Sequence, residues 1–312
     1  MLVRPYLCRV AVLIGDHLKI AFDYQIFAIQ SYGGISRYFT RITQALLDMK
    51  QEARIFAPRY CNNYLKLFSK GIVSGKYVHR FPPKTVRLAL AYNRFLFNSA
   101  VSSWSPDIVH ETFYARYGSA PKGCPTVVTV HDMINELFHN DMPKTDRISK
   151  LKRLSIERSD AVICVSENTK HDLMRILGTP EKKISVVHLG FDKFVVKNYK
   201  TISRHFTERP FLLYVGHRSG YKNFVGFLKA VASSTRLLSD FDIISFGGVR
   251  FSHSEKYLIS SLGFSSRQVI HKKGNDDVLG CLYSSATAFV CPSLYEGFGI
   301  PSLEAMAHSC PV

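Results

Sequence analysis

Apolar positions along this chain follow two rhythms that take turns. Short runs with strand character at residues 18–23, 53–57, 107–110, 126–131, 160–166 and 184–190 are separated by stretches with helical spacing. One such stretch follows Gly33-Gly34 and places Arg37, Phe39, Ile42 and Leu46 at helical intervals; another covers residues 167–177, behind Ser166 as its cap. Residues 192–209 lose the rhythm, and it resumes with strand-like runs at 211–216, 241–248, 269–271 and 286–291. Alternation of this kind predicts an α/β fold with doubly wound parallel sheets. Two successive halves predict two Rossmann-like domains facing a cleft, with ligands at the carboxyl ends of the strands. The expected layout is an N-terminal extension at 1–17, a first domain at 18–195, a linker at 196–209 and a second domain at 210–312. The pattern breaks off at Val312 just where another strand is due, so the second domain is expected to be incomplete.

Composition narrows the class. With 312 residues, 46% hydrophobic and 21% charged, the chain reads as a globular protein with room for two domains. No apolar run approaches the ~20 residues of a membrane-spanning helix. Seven cysteines are scattered without a Cys-x-x-Cys pair, which points to neither a disulfide framework nor a zinc site and fits a reducing cytoplasm. The net charge of +17 comes without any nucleic-acid-binding signature. Its cations ride on helix-like segments, residues 84–97 with Arg87 and Arg94, and residues 147–154 with Arg147, Lys150, Lys152 and Arg153. Basic, aromatic helices suit an anionic membrane surface, on its inner face; solvated helix faces are the plainer alternative.

Four constellations carry candidate chemistry. Residues 293–307 read Ser-Leu-Tyr-Glu-Gly-Phe-Gly-Ile-Pro-Ser-Leu-Glu-Ala-Met-Ala. Pro301 fits the start of a helix, Gly297 and Gly299 allow a ligand close to the main chain, and Glu304 is expected in the first turn. Helix-start N–H groups attract phosphate, and Glu296 and Glu304 can accept from sugar and ribose hydroxyls, the outline of a nucleotide-sugar site; a capped helix after a strand is the bland alternative. Arg218 and Lys222, four apart in a loop after a strand, can converge on one diphosphate, or be two exposed loop cations. Gly33-Gly34 between a strand and a helix admits a diphosphate or makes a simple turn. His131 leaves a strand end, with Asp132 beside it, as a hydrogen-bond partner or general acid/base. For His110, with Glu111 next to it, a buried structural role stands level with a functional one. The acidic residues at 276–277 read as caps of the next helix.

The run around Glu296 and Glu304 resembles the E-x7-E signature of retaining glycosyltransferases of the GT-B fold, particularly glycosyltransferase family 4. The Val-Gly-His-Arg218 to Lys222-Asn223 text, the Gly33-Gly34-Ile-Ser-Arg37-Tyr38 run and the Val130-His131-Asp132 step resemble other motifs of that family, in its order. The resemblance covers residues 18–312 and implies a retaining, metal-independent transferase. It would move a hexose, mannose before others, from a nucleotide diphosphate sugar (GDP-mannose favoured) to a glycan or lipid-linked acceptor in bacterial cell-surface polysaccharide or lipopolysaccharide assembly. It implies that Arg218, Lys222 and the Gly33-Gly34 loop meet the diphosphate, and that Glu304 holds the ribose. Glu296, with Gly297, Phe298 and Gly299, would hold the donor sugar, which His131 also meets; Asp132 and His110 fall on the acceptor side. It also implies a longer chain, so a truncated, non-catalytic nucleotide-sugar binder is the competing expectation. Ser309 departs from the glycine usual in the family and is expected to strain its turn.

Overall fold

The computed structural model describes residues 18–138, 145–191, 206, 209–218 and 220–312. The expected extension at 1–17 lies outside them, as does the linker at 196–209 apart from Phe206 and Arg209. The chain divides into two compact units, Met1–Glu136 with Lys144–His188, and Leu137–Pro143 with Leu189–Val312.

In the first unit seven parallel strands form one sheet: β1 (Lys19–Phe22), β2 (Glu52–Tyr60), β3 (Val73–Tyr77), β4 (Ile108–Glu111), β5 (Thr126–Val130), β6 (Ala161–Cys164) and β7 (Ile184–Val186). Their order is β3-β2-β1-β4-β5-β6-β7. The chain therefore winds outward in both directions from β1, and the switch point falls between β1 and β4, where such sheets bind ligands. Helices α1 (Gln25–Ile29), α2 (Gly34–Asp48), α3 (Val86–Trp104), α4 (Ile134–Leu137), α5 (Thr145–Arg158) and α6 (Glu167–Leu177) connect the strands. Phe39 of α2 and Phe97 and Val101 of α3 pack with Phe22, Ile55 and Val109 of the central strands. Ser166 caps α6, its Oγ accepting from Thr169 N at 3.1 Å.

The second unit repeats the plan on four parallel strands ordered β10-β9-β8-β11: β8 (Phe211–Val215), β9 (Asp242–Phe246), β10 (Val269–Lys272) and β11 (Ala288–Phe289). Helices α7 (Phe224–Ala232), α8 (Thr235–Asp240), α9 (His253–Ser261), α10 (Asp276–Ser285) and α11 (Ile300–Ala307) flank them. Side-chain alternation explains why β8 is apolar throughout. Phe211 and Leu213 pack with Leu279 and Tyr283 of α10, whereas Leu212 and Tyr214 pack with Phe224 and Leu228 of α7.

Several expectations change. Strand β3 is absent from the sequence reading because it is an exposed edge strand, Val-Ser-Gly-Lys-Tyr, with no buried residue to mark a face. Asn275, not an acidic residue, caps α10, accepting from Val278 N at 3.2 Å; Asp276 and Asp277 occupy its first turn, where negative charge suits the helix dipole. Glu304 lies beyond the first turn of α11, since the helix already begins at Ile300. Lys152 is not a surface cation: its side chain is 1% exposed, 2.7 Å from Glu136 Oε2.

Ser309 does sit in strained backbone, with φ 59°. The N–H of Ser309 bonds to the carbonyl of Met306 at 2.9 Å and that of Cys310 to Ala305 at 3.0 Å, which is a Schellman ending with serine at the left-handed position. Because a Cβ costs about 1 kcal/mol there, Ser309→Gly is expected to raise thermal stability by a few degrees; an unchanged or lower melting temperature would show the turn to be unstrained.

Candidate functional site

Beyond β8 the chain turns through Gly216, His217 and Arg218 into a short 3₁₀ turn, Gly220–Lys222. Two bonds tie this loop to the one after β11. Asn223 Nδ2 donates to the Pro292 carbonyl at 3.1 Å, and Leu294 N donates to the Tyr221 carbonyl at 2.8 Å. In that frame Lys222 Nζ lies 2.6 Å from Glu296 Oε1, with side-chain exposures of 17% and 26%. Two motifs far apart in sequence thus meet as a partly open cation–carboxylate pair.

Arg218 takes a different partner. Its Nε donates to Glu255 Oε1 at 2.7 Å and its Nη2 to the Val249 carbonyl at 2.7 Å. The guanidinium lies over Phe251, 4.5 Å from the ring centre. Nη1 is buried and makes no hydrogen bond.

Gly299 caps α11 with φ 88°, a left-handed conformation that favours glycine. Glu304, one turn further on, is buried and accepts at Oε2 from the Tyr283 hydroxyl at 3.3 Å. Burial and the adjacent Glu304 push the Tyr283 hydroxyl far up, so it stays a donor. Glu296 and Glu304 therefore face different partners despite their shared signature.

The first unit carries the histidines at the carboxyl end of its sheet. His131 follows β5, its ring edge-on to Tyr38 at 5.0 Å, and its Nε2 is buried without a hydrogen-bond partner. Burial, then the Lys152 charge, pushes its pKa down to about 4, so the ring is neutral at pH 7. Asp132 Oδ1 accepts from Ile134 N at 3.1 Å and turns the chain into α4. Lys152 Nζ donates to the Asp132 carbonyl at 2.8 Å, fixing the segment that carries His131. His110 is a satisfied core residue: Nε2 lies 2.9 Å from Thr129 Oγ1, and the ring packs on Phe39 at 5.0 Å. Burial, with His131 nearby, pushes its pKa down to about 3.

Gly33 and Gly34 open α2. Gln30 folds over this start, its Oε1 accepting from Ser36 N at 3.3 Å, and must swing aside before an anion reaches that N–H. Nearby, Asp23 after β1 and Glu111 of β4 are both buried and share the Ser119 hydroxyl, at 3.0 and 3.5 Å. Arg158 of α5 pairs with Glu111 at 2.5 Å. Burial raises both carboxyl pKa values. Sequence reading misses Asp23, Arg158 and Glu255 as site residues and places Lys152 on a basic surface; only Glu255 carried a legible signal, the Ser252-x-x-Glu255 capping box. Among the described residues no cluster of three or more His, Cys, Asp or Glu could hold a metal ion.

Comparison with known proteins follows the same division of the chain. Residues 32–193 match the model of Glycosyltransferase Family 4, and residues 195–312 that of Glycosyl transferases group 1. The O-antigen chain mannosyltransferase RfbU of Salmonella typhimurium is 29% identical over 189 residues, 59% of this chain and 50% of the relative. The chain spans about half the length of the curated relatives it matches. Sucrose-phosphate synthase (tll1590) from Thermosynechococcus elongatus superposes with TM-score 0.70 at 17% identity, over 95% of this chain and 80% of that one. WaaG, a glycosyltransferase involved in lipopolysaccharide biosynthesis, superposes with TM-score 0.67 at 19% identity, over 94% and 80%. These two share the α/β GT-B fold with the chain described here. With the family 4 model spanning just over half of its residues, the chain belongs to glycosyltransferase family 4.

Proposed function

We propose that the protein is a retaining glycosyltransferase that moves a hexose, mannose in first place, from a nucleotide diphosphate sugar to a hydroxyl of a glycan or lipid-linked acceptor. The observation that carries this reading is the Lys222–Glu296 pair at 2.6 Å, which joins the phosphate-binding and sugar-binding motifs of the family in one partly open place. The mannosyltransferase relative favours mannose and a role in O-antigen or other cell-surface polysaccharide assembly.

In this reading Lys222 and Arg218 neutralise the donor diphosphate, and Glu304 receives the ribose hydroxyls beside Tyr283. Glu296 and the amides of 297–299 hold the sugar. His131, neutral and with Nε2 unsatisfied, is suited to a sugar hydroxyl. As the bond from the anomeric carbon to the diphosphate oxygen breaks, the acceptor oxygen bonds to that carbon on the same face. The departing phosphate oxygen takes the acceptor proton, so retention needs no protein nucleophile. Proton NMR of the first product formed from GDP-mannose tests the stereochemistry: an α-linked product is expected, and a β-linked one would overturn retention.

Among the described residues no helix is long and apolar enough to cross a membrane. Helix α3 nevertheless shows solvent Leu88 at 71% and Phe95 at 78% exposure, two turns apart, with Arg87 exposed beside them. This face suits an anionic lipid surface, where a lipid-linked acceptor would be met. Sedimentation with phosphatidylglycerol vesicles should carry the protein down and should fail for Leu88→Ser with Phe95→Ser. Equal recovery of both forms in the pellet would rule out this face.

A further inference from the structure

We propose that Glu255 is a positioning residue for Arg218: it clamps the Nε and Nη2 edge of the guanidinium so that Nη1 remains for the donor diphosphate. The inference rests on the donor-site reading above and assigns a residue outside the family motifs identified in the sequence.

Three observations converge on it. The clamp is two-pronged, with Nε to Oε1 at 2.7 Å and Nη2 to Oε2 at 3.4 Å, and the Val249 carbonyl takes another Nη2 proton at 2.7 Å. A planar fork held along one edge has a fixed direction for the other. The Arg218 side chain is only 5% exposed and lies against Phe251 at 4.5 Å, yet Nη1 has no partner. A buried N–H left unmade costs on the order of 1–3 kcal/mol, and such a cost calls for an explanation, of which a ligand is one. Gly248, φ 64°, borders this nitrogen: a Cβ there would stand 3.4 Å from Nη1 and add a further wall against it.

Glu255 is itself held from behind. Its Oε2 accepts from Ser252 N at 2.7 Å, while its own N–H donates to Ser252 Oγ at 3.2 Å, the capping box of α9. Burial tends to raise its carboxyl pKa, but the hydrogen bonds from Arg218 and Ser252 outweigh it and hold it below the usual carboxylate range. One carboxylate thus serves two tasks: it caps a helix, and it aims a cation.

Those tasks separate by mutation. Glutamine at this position still completes a capping box but loses the charge-assisted clamp. Alanine at Ser252 weakens the box and leaves the clamp. Titration calorimetry with GDP and with UDP, and melting temperatures, are measured for the wild type, Glu255→Gln, Ser252→Ala, Arg218→Gln and Arg218→Gln/Glu255→Gln. Glu255→Gln is expected to weaken nucleotide binding roughly tenfold with little change in melting temperature. Ser252→Ala should lower the melting temperature and leave affinity within about twofold. In the Arg218→Gln background the Glu255 change should add nothing, the mark of action through Arg218. If the wild type binds and Glu255→Gln binds equally well, or Ser252→Ala loses affinity as much, the positioning role is overturned while the donor site stands. If the wild type binds neither nucleotide, the donor-site reading falls, and this role with it.

Discussion

Lys222→Ala is expected to lower transfer by roughly 10²–10³-fold, the scale of losing one fixed charge-stabilising donor at a reacting centre. Two effects add. The ammonium no longer offsets the charge that grows on the departing diphosphate. Glu296, whose Oε1 lies 2.6 Å from Lys222 Nζ, is also left as an uncompensated carboxylate beside an incoming anion. Removing the lysine therefore turns a neutral pair into a repulsive group, and donor affinity should fall along with turnover. Lys222→Arg restores the charge in a planar fork rather than a point and should recover part of the loss. Steady-state kinetics and calorimetry on the three forms decide the matter. Unchanged turnover in Lys222→Ala would remove Lys222 from the machinery.

His131→Ala is expected to reduce turnover by roughly 10²-fold, with a smaller change in nucleotide diphosphate affinity, because the ring is assigned to the sugar and not to the phosphates. The wild-type pH profile carries a signature of the same assignment. A surface imidazole would gain its proton near pH 6.5, but burial and the Lys152 charge push the His131 pKa down to about 4. The neutral, active ring should then persist as the pH falls through 6.5, and any acid limb due to His131 should lie near pH 4. An acid limb centred near 6.5 that disappears in His131→Ala would contradict the neutral ring with its buried Nε2. Unaltered turnover in that variant would remove the residue from the reaction.

Legibility in the sequence tracks the range of the interactions involved. Helix α6 and its Ser166 cap could be read directly, because cap and periodicity are local. The run at β8 was equally plain, since a strand covered on both faces must be apolar at every position. Edge strand β3 was invisible, because pairing through one backbone edge demands no particular side chain. The motif residues could be named, but their partners could not. Arg218 finds Glu255, and Lys152 of α5 finds Glu136, across separations that no local pattern encodes. That is why a buried structural lysine reads, in one dimension, like part of a basic surface helix. The ion pairs that set the electrostatics of both candidate sites emerge only once the sheets are assembled.

A thermal-shift panel on the wild type and Lys222→Ala, with GDP, UDP, ADP, GDP-mannose and UDP-glucose, tests the central claim most directly. At about 100 times its dissociation constant, a nucleotide bound only by the folded wild type adds roughly 2.7 kcal/mol to its stability. The predicted result is a shift selective for one nucleoside diphosphate and its sugar, lost or sharply reduced in Lys222→Ala. No shift with any of the five, or the same shift in both proteins, would contradict a donor site built on Lys222 and Glu296.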